Sequence, residues 1–418
     1  MQIESTTCNL HCFLYLCKAY TKIKLVLIVI QMSLTRILQK EIEEYFFDIP
    51  VTAIIGARQT GKTTLAKAII TALGVKEQQK VIQLDLEKKS DRQLISNTED
   101  FLNYNKGSLI MIDEIQLMPE VFSAIRSFVD ENPASKFLIL GSSSPEISQK
   151  GSESLAGRIF YFELSPFLWL EVKERKSMEL YRLIGGMPMS FLAKNTTTSF
   201  VWLKNYIRTF LERDLRNFGF NIPPATLRRL WVMVAHINGQ VLNYSQLANA
   251  MGVSHTTIKH YIDVLEHTFM LRIIQPYHVN IKKRLVKSPK VYFRDTGVLH
   301  ALLNIETFND LYAHPVYGSS WEVTVIENII AKYSSWDFFF YRTAKGVEID
   351  LILTKNTKTI AIEIKASSTP KVTTGFWNAL EDIQPNEAYI IANVKMPYPM
   401  EKGVMVYPLE DFLTKKIT

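Results

Sequence analysis

The stretch "VTAIIGARQTGKTTLAKAII", Val51 to Ile70, sets an apolar β-type run, a turn with glycine at both ends and an apolar pattern of helical period in direct succession. The turn meets the spacing GxxxxGK[ST] at Gly56, Gly61, Lys62 and Thr63. Each residue type has a task in that spacing. Glycines let the main-chain amides of Gly56, Ala57, Arg58, Gln59, Thr60, Gly61, Lys62, Thr63 and Thr64 curl around phosphate oxygens, and the following helix presents its positive end to them. Lys62 is expected to reach the β- and γ-phosphates of ATP, and Thr63 to offer its hydroxyl to Mg²⁺.

A second stretch agrees. "SLIMIDEIQ" is an apolar strand ending in Asp113 and Glu114. An acid at such a strand end suits the Mg²⁺ shell, and its neighbour can polarise an attacking water as general base; Asp113 is assigned the first role and Glu114 the second. "KFLILGSSS" then brings Ser142 and Ser143 to the end of a further strand. If that strand lies between the other two, a hydroxyl there senses the γ-phosphate; the other reading is a polar turn that caps the next helix. Arg158, just before another strand, is read either as a charge donor to the transferred phosphoryl group, in its own or a neighbouring subunit, or as a surface arginine. Acidic and water-polarising residues beside a phosphate cradle favour hydrolysis over binding alone.

These residues need a scaffold. Strand patterns at 51–55, 81–86, 108–112, 137–141 and 159–163, mostly separated by helical patterns, imply a parallel sheet covered on both faces, an α/β nucleotide domain over residues 32–165. "MSLTRILQKEIEEYF" from Met32 reads as its amphipathic opening helix. Residues 1–31 are read as an extension outside the fold, translated from an upstream start. A membrane anchor is the alternative there, opposed by Lys18, Lys22 and Lys24, which keep any uncharged run below the roughly 18 residues a span needs. Cys8, Cys12 and Cys17 are the only cysteines and form no CxxC pair, so the body of the chain suits a reducing cytoplasm.

With 47% hydrophobic and 21% charged residues among 418, the composition is that of a globular chain and excludes a disordered one. Its net charge of +7 is unevenly spread: Lys204 to Arg294 holds 14 Lys and Arg against 4 Asp and Glu, which is +10, and leaves −3 for the remainder. An acidic partner such as double-stranded DNA is therefore expected along residues 204–294. Overlapping that window, residues 166–240 read as a helical lid or connector broken at "IGGMP", and residues 241–298 as a winged helix-turn-helix. Ala248, Gly252, Val253, Ile258 and Leu265 fall where two crossing helices need a small residue, a turn and apolar anchors. Ser254 is placed to cap the second helix, whose outer side would show His255, Thr256, Lys259 and His260. Two strand patterns flank a basic loop with Lys282, Lys283, Arg284, Lys287 and Lys290. Such a unit grips a phosphate backbone or, alternatively, another protein.

The last segment, residues 299–418, contains "EIDLILTKNTKTIAIEIK". A turn centred between Asn356 and Thr357 pairs Lys355 with Lys358 and, by the same count, Asp350 with Glu363. Two facing carboxylates require a cation, which Lys365 or a divalent metal can supply. With Glu322 and Glu327 on the preceding helix, the arrangement resembles a restriction-endonuclease-like nuclease core with a second Mg²⁺ site at Asp350 and Glu363, assisted by Glu322 and Lys365. An inert site held together by Lys365 is the other reading.

Taken in order, "GARQTGKTT", "MIDEIQ", "ILGSSS", "SLAGRIFYFELSPF", "GGMP", "KSPKVYFRDTG" and "GVEIDLIL…IEIKAS" resemble the prokaryotic AAA-type P-loop ATPases of the archaeal-ATPase-like group that carry a C-terminal domain of unknown function. The resemblance spans nearly everything after Met32, with one departure, Met187 in "GGMP", where a bulky aromatic is more usual. It implies a P-loop NTPase sheet covered by helices, then a helical lid, a winged helix-turn-helix and a small α/β nuclease-like domain. The expected function is an ATP-hydrolysing switch acting on DNA, able to form oligomers. The alternative is a nucleotide-controlled scaffold for protein partners with an inert nuclease-like face.

Overall fold

The computed structural model describes residues 34–74, 80–144, 155–217, 220–278 and 285–417. Two units are distinguished, Met1–Ile37 and Leu38–Thr418, and every element named below belongs to the second. The expectations for residues 1–31, with their cysteines, and for Lys282, Lys283 and Arg284 lie outside the described residues. No helix among the described residues is long and apolar enough to cross a membrane.

Five strands, β1 (Val51–Ile55), β2 (Val81–Asp85), β3 (Leu109–Asp113), β4 (Lys136–Gly141) and β5 (Ile159–Glu163), form one sheet in the order β2-β3-β4-β1-β5. All neighbouring pairs are parallel. Alternation along each strand divides the core in two, because successive side chains leave opposite faces of a strand. Ala53, Ile110, Ile112, Phe137 and Ile139 pack with Phe122 and Ile125 of helix Val121–Glu131. Ile54, Leu109, Met111, Leu138 and Leu140 pack with Leu65 and Ile69 of helix Lys62–Ala72. Both faces are thus covered, as a parallel sheet requires. β4 lies between β1 and β3, the condition on which Ser142 was read as a γ-phosphate sensor.

Beyond β5 the chain turns helical. Helix Thr196–Thr209 runs into a five-residue π-turn, Phe210–Asp214. Further on come helices Pro224–His236, Tyr244–Met251 and His255–His267 in turn. Gly252 ends the second of these in the left-handed region at φ 68°, and Ser254 caps the third by accepting from Thr257 N at 3.1 Å. β6 (Leu271–Ile274) and β7 (Lys290–Phe293) then form an antiparallel pair. The motifs "GGMP" and "FRDTG" meet here. Asp295 Oδ2 accepts from Gly186 N at 2.7 Å and Met187 N at 3.2 Å, while Oδ1 caps Val298 N at 3.0 Å. A Cβ at Gly186 would lie 2.3 Å from Phe167 O, so no other residue fits.

The second sheet has six strands: β8 (Asp337–Arg342), β9 (Glu348–Lys355), β10 (Lys358–Lys365), β11 (Glu387–Ala392), β12 (Tyr398–Pro399) and β13 (Met405–Tyr407), in the order β12-β13-β11-β10-β9-β8. β9 and β10 pair antiparallel with Lys358 opposite Lys355 and Ile362 opposite Leu351, the register counted from the turn. Asn356 supplies that turn's positive φ of 54°. The segments flanking the β6–β7 loop run along β8: Tyr277 N donates to Phe340 O at 2.6 Å, Phe340 N to Gln275 O at 3.1 Å, and Val286 N to Arg342 O at 3.0 Å. The base of the basic loop is therefore fastened to the edge of the C-terminal sheet.

Candidate functional site

The loop from Gly56 to Thr63 leaves the carboxyl end of β1 and enters helix Lys62–Ala72. Its backbone needs glycine at both ends. Gly61 stands at φ 97°, and at Gly56 (φ 150°) a Cβ would lie 2.3 Å from Leu164 O. Lys62 lies under the loop, its Nζ donating to Gly56 O and Ala57 O at 2.9 Å each. Burial pulls its ammonium down to about 8, against Glu114 and Asp113, which favour the charge. Thr60 is buried and donates to Ala57 O at 2.9 Å, which stiffens the turn from inside.

Thr63 Oγ1 donates to Asp113 Oδ2 at 2.6 Å, which sets a hydroxyl and a carboxylate side by side at the end of β3. Burial raises the Asp113 carboxyl, and the Thr63 bond opposes that shift. Glu114 takes a left-handed backbone, φ 56° and ψ 44°, a conformation a non-glycine residue adopts at a cost of about 1–3 kcal/mol. Its Oε2 accepts from Ser142 Oγ and from Gln116 Nε2, and Gln116 Nε2 also reaches Ser142 Oγ at 3.2 Å. Ser142 thus holds the carboxylate expected to polarise water. Gln116 was missed as a site residue, although its place two residues past Glu114 on the same turn was a usable signal.

Arg58 pairs with Asp214 of the π-turn and with Glu87. Neither acid carried a sequence signal, since both are brought in by tertiary packing. The expectation for Arg158 requires correction within this chain. Arg158 precedes β5, whose first residue Ile159 pairs with Val51, so it sits at the amino ends of parallel strands whose carboxyl ends carry the loop. There it is bound to Asp130, through Nε and, at 2.9 Å, through Nη2.

The carboxylates of the C-terminal sheet do converge, and on an unexpected partner. Ile364 N donates to Asp350 Oδ2 at 2.8 Å, and Lys365 Nζ pairs with Glu363 Oε1 at 2.6 Å. Lys290 is only 2% exposed; its Nζ pairs with Glu348 and stands 3.7 Å from Asp350 Oδ1, while Tyr292 OH donates to Glu322 Oε2 at 2.8 Å. Lys290 is therefore a buried member of β7 and not a contact of the basic loop. Its ammonium stands beside Asp350 and that of Lys365 beside Glu363, the two positions read above as a second Mg²⁺ site. Among the described residues no group of three or more His, Cys, Asp or Glu side chains is arranged to hold a metal ion. Glu327 is also corrected: it pairs with Arg272 and, at 3.2 Å, with Arg294, which in turn bind Glu163 of β5.

Burial, and then Asp350, push the carboxyl of Glu363 up to about 8 and that of Glu322 up to about 7, against the pull of Lys365 on the first and Lys290 on the second. The unfolded chain titrates these groups near 4.5. Between 4.5 and the raised values the folded state holds protons that the unfolded state has lost, so this part of the stability falls as pH rises through the window. Glu363→Gln should flatten the upper part of that fall, worth up to about 1.4 kcal/mol per pH unit. Denaturant midpoints at about pH 6 and about pH 8.5 read this directly; an unchanged difference between the two would refute a protonated Glu363.

Three family models match the chain in succession: "AAA domain" over residues 48–173, "Domain of unknown function (DUF8612)" over 175–309 and "Domain of unknown function (DUF4143)" over 317–412. Two proteins described as uncharacterized, from Mycobacterium tuberculosis and Mycobacterium bovis, are each 37% identical over 367 residues, which is 87% of this chain and 81% of theirs. Among solved structures, AMPPCP-bound DnaA from Aquifex aeolicus aligns at 16% identity over 55% of this chain and 86% of that one, with a TM-score of 0.28. At that score the overlay bears on nothing further, and the fold assignment rests on strand order and the family match.

Proposed function

The chain belongs to the family of these mycobacterial proteins, an AAA-type P-loop family with a C-terminal domain of unknown function, and on that premise we propose that it hydrolyses ATP with Mg²⁺ and uses the cycle as a switch on double-stranded DNA. The observation that carries this reading is the contact of Thr63 Oγ1 with Asp113 Oδ2 at 2.6 Å, beside a loop whose ends only glycine can form. Those two side chains would hold Mg²⁺, which would offset the negative charge of the phosphates. Main-chain amides from Gly56 to Thr63 receive the phosphates, and Lys62 meets the terminal ones. Glu114, held by Ser142, takes the proton of a water whose oxygen bonds to the γ-phosphorus as the bond to the β–γ bridging oxygen breaks. The bridging oxygen leaves on ADP and the new P–O bond leaves on inorganic phosphate.

DNA enters through the helix pair. His255, Thr256, Lys259 and His260 are exposed along helix His255–His267. The far end of that helix is tied to the phosphate-sensing end of β4: Ser144 N donates to His267 O at 2.8 Å, and Ser144 Oγ lies 3.0 Å from His267 Nδ1. Ser144 is two residues past Ser142, so a shift at the γ-phosphate has a short path to the helix. The scaffold reading is favoured by a different observation: Arg272, Lys290 and Arg294, three cations of the basic window, are buried in internal ion pairs.

ATP turnover with and without duplex DNA separates the two. The switch on DNA predicts stimulation whose half-maximal DNA concentration rises at least about 10-fold between about 50 mM and about 200 mM salt, because neutralised phosphates release counterions. Turnover indifferent to DNA at both salts supports the scaffold. In the same reactions Mg²⁺ should leave the plasmid intact, since Lys290 already fills the nuclease-like cluster.

A further inference from the structure

Phosphoryl transfer is helped most by a guanidinium set against the equatorial oxygens of the transferred group. Arg158 cannot serve within this chain, because it lies at the opposite end of the sheet. Arg58 lies inside the loop itself and its side chain is 15% exposed. Its Nη1 donates to Asp214 Oδ1, its Nη2 donates to Glu87 Oε1, and Nη2 stands 3.9 Å from Glu114 Oε1. That last distance sets a second cation, besides Lys62, on the side of the loop where the water-polarising carboxylate lies. Burial opposes the Arg58 charge, yet Asp214, Glu114 and Glu87 outweigh it and raise its pKa.

Asp214 is not a surface acid that happens to be near. It is 3% exposed and closes the π-turn Phe210–Asp214, a widening of the helix that recurs at functional sites. Tyr206, on the same run of helix, directs its hydroxyl at the Arg58 carbonyl oxygen at 3.4 Å. The connector thus grips Arg58 by both side chain and main chain.

We propose that Arg58 supplies, from within its own chain, the cation that meets the charge developing on the transferred phosphoryl group, and that Asp214 is the residue that positions it. The proposal rests on the hydrolysis reading above. Arg58 donates hydrogen bonds to non-bridging oxygens and neither gains nor loses a proton, so the balance of the reaction is unchanged. Asp214 acts only through Arg58, and the helical connector becomes part of the catalytic site rather than a spacer.

Steady-state turnover of Mg²⁺-ATP by the full chain tests this. Arg58→Gln should lower kcat about 100- to 1000-fold, the usual loss for one preorganised donor, with KM within about 3-fold of the parent. Asp214→Asn, nearly isosteric, should lower kcat about 10-fold at constant KM; the double variant should be no slower than Arg58→Gln, because nothing is left to position. If Arg58→Gln does not fold, Arg58→Lys and Asp214→Asn carry the test through the same loss of kcat at constant KM. A pair that merely fastens the connector would instead move KM, kcat and thermal stability together, with recovery in the double variant, and that pattern overturns the proposal. A parent chain without Mg²⁺-dependent turnover removes the hydrolysis reading and this one with it. Parent turnover with Arg58→Gln within about 3-fold in kcat removes this one alone.

Discussion

Glu114→Gln should bind ATP as the parent chain does and turn it over about 100- to 10,000-fold more slowly, the range lost with a general base. The substitution keeps the shape of the side chain and an oxygen for Ser142 Oγ to donate to, and removes the negative charge and with it the capacity to take a proton. It also leaves Thr63, Asp113 and Lys62 in place, so the loop and the proposed Mg²⁺ donors remain. The left-handed backbone at Glu114 supports its selection for the role, because strain of that kind is kept where a side chain must be aimed. Phosphate release read together with a fluorescent-nucleotide titration checks both halves. A variant that retains a third or more of parental kcat would place the base elsewhere.

Lys290→Met should cost about 3–5 kcal/mol of stability at neutral pH, the loss expected when one partner of a buried ion pair is removed. The methionine fills most of the volume, so the effect isolates the charge. Glu348 and Asp350 lose their buried cation, and Glu322 and Glu363 ionise with less compensation. The deficit should therefore grow between about pH 6 and about pH 8.5, as the raised carboxyls give up their protons. Guanidinium unfolding of the full chain at both values measures it. A loss below about 1 kcal/mol, or one independent of pH, would mean that these carboxylates are balanced by something other than Lys290.

What the sequence disclosed, and what it withheld, follows from how far each contact reaches. The cradle was legible because strand, turn and helix are consecutive, and because Gly56 and Gly61 answer to local backbone geometry. The facing of Asp350 and Glu363 was legible for a similar reason: a tight turn at Asn356 fixes the count along both strands. Lys290 was not, since its partners Glu348 and Asp350 belong to another sheet and only the docking of β7 brings them close. Asp214 stayed hidden likewise, its contact with Arg58 depending on how the connector folds back.

The reading of Arg158 as a charge donor within its own subunit failed for a reason that the sequence itself contained. Residues preceding a strand of a parallel sheet lie at the amino ends, and phosphate-binding loops leave the carboxyl ends. An arginine just before β5 could therefore serve a nucleotide only in another subunit. The helix pair around Gly252 shows the converse: a small residue, a turn and spaced apolar anchors sufficed to place two helices, while the charge of the window said less about partners than its sum suggested, because Arg272, Lys290 and Arg294 are spent internally.

The account depends most on one equilibrium, the binding of Mg²⁺-ATP by the loop between β1 and helix Lys62–Ala72. A titration of the full chain with a fluorescent ATP analogue, in Mg²⁺ and again in excess EDTA, measures it. Saturable binding that weakens in EDTA, weakens in Asp113→Asn and vanishes in Lys62→Ala is the predicted result. Absence of binding in the parent, or Lys62→Ala binding as tightly as the parent, would contradict it.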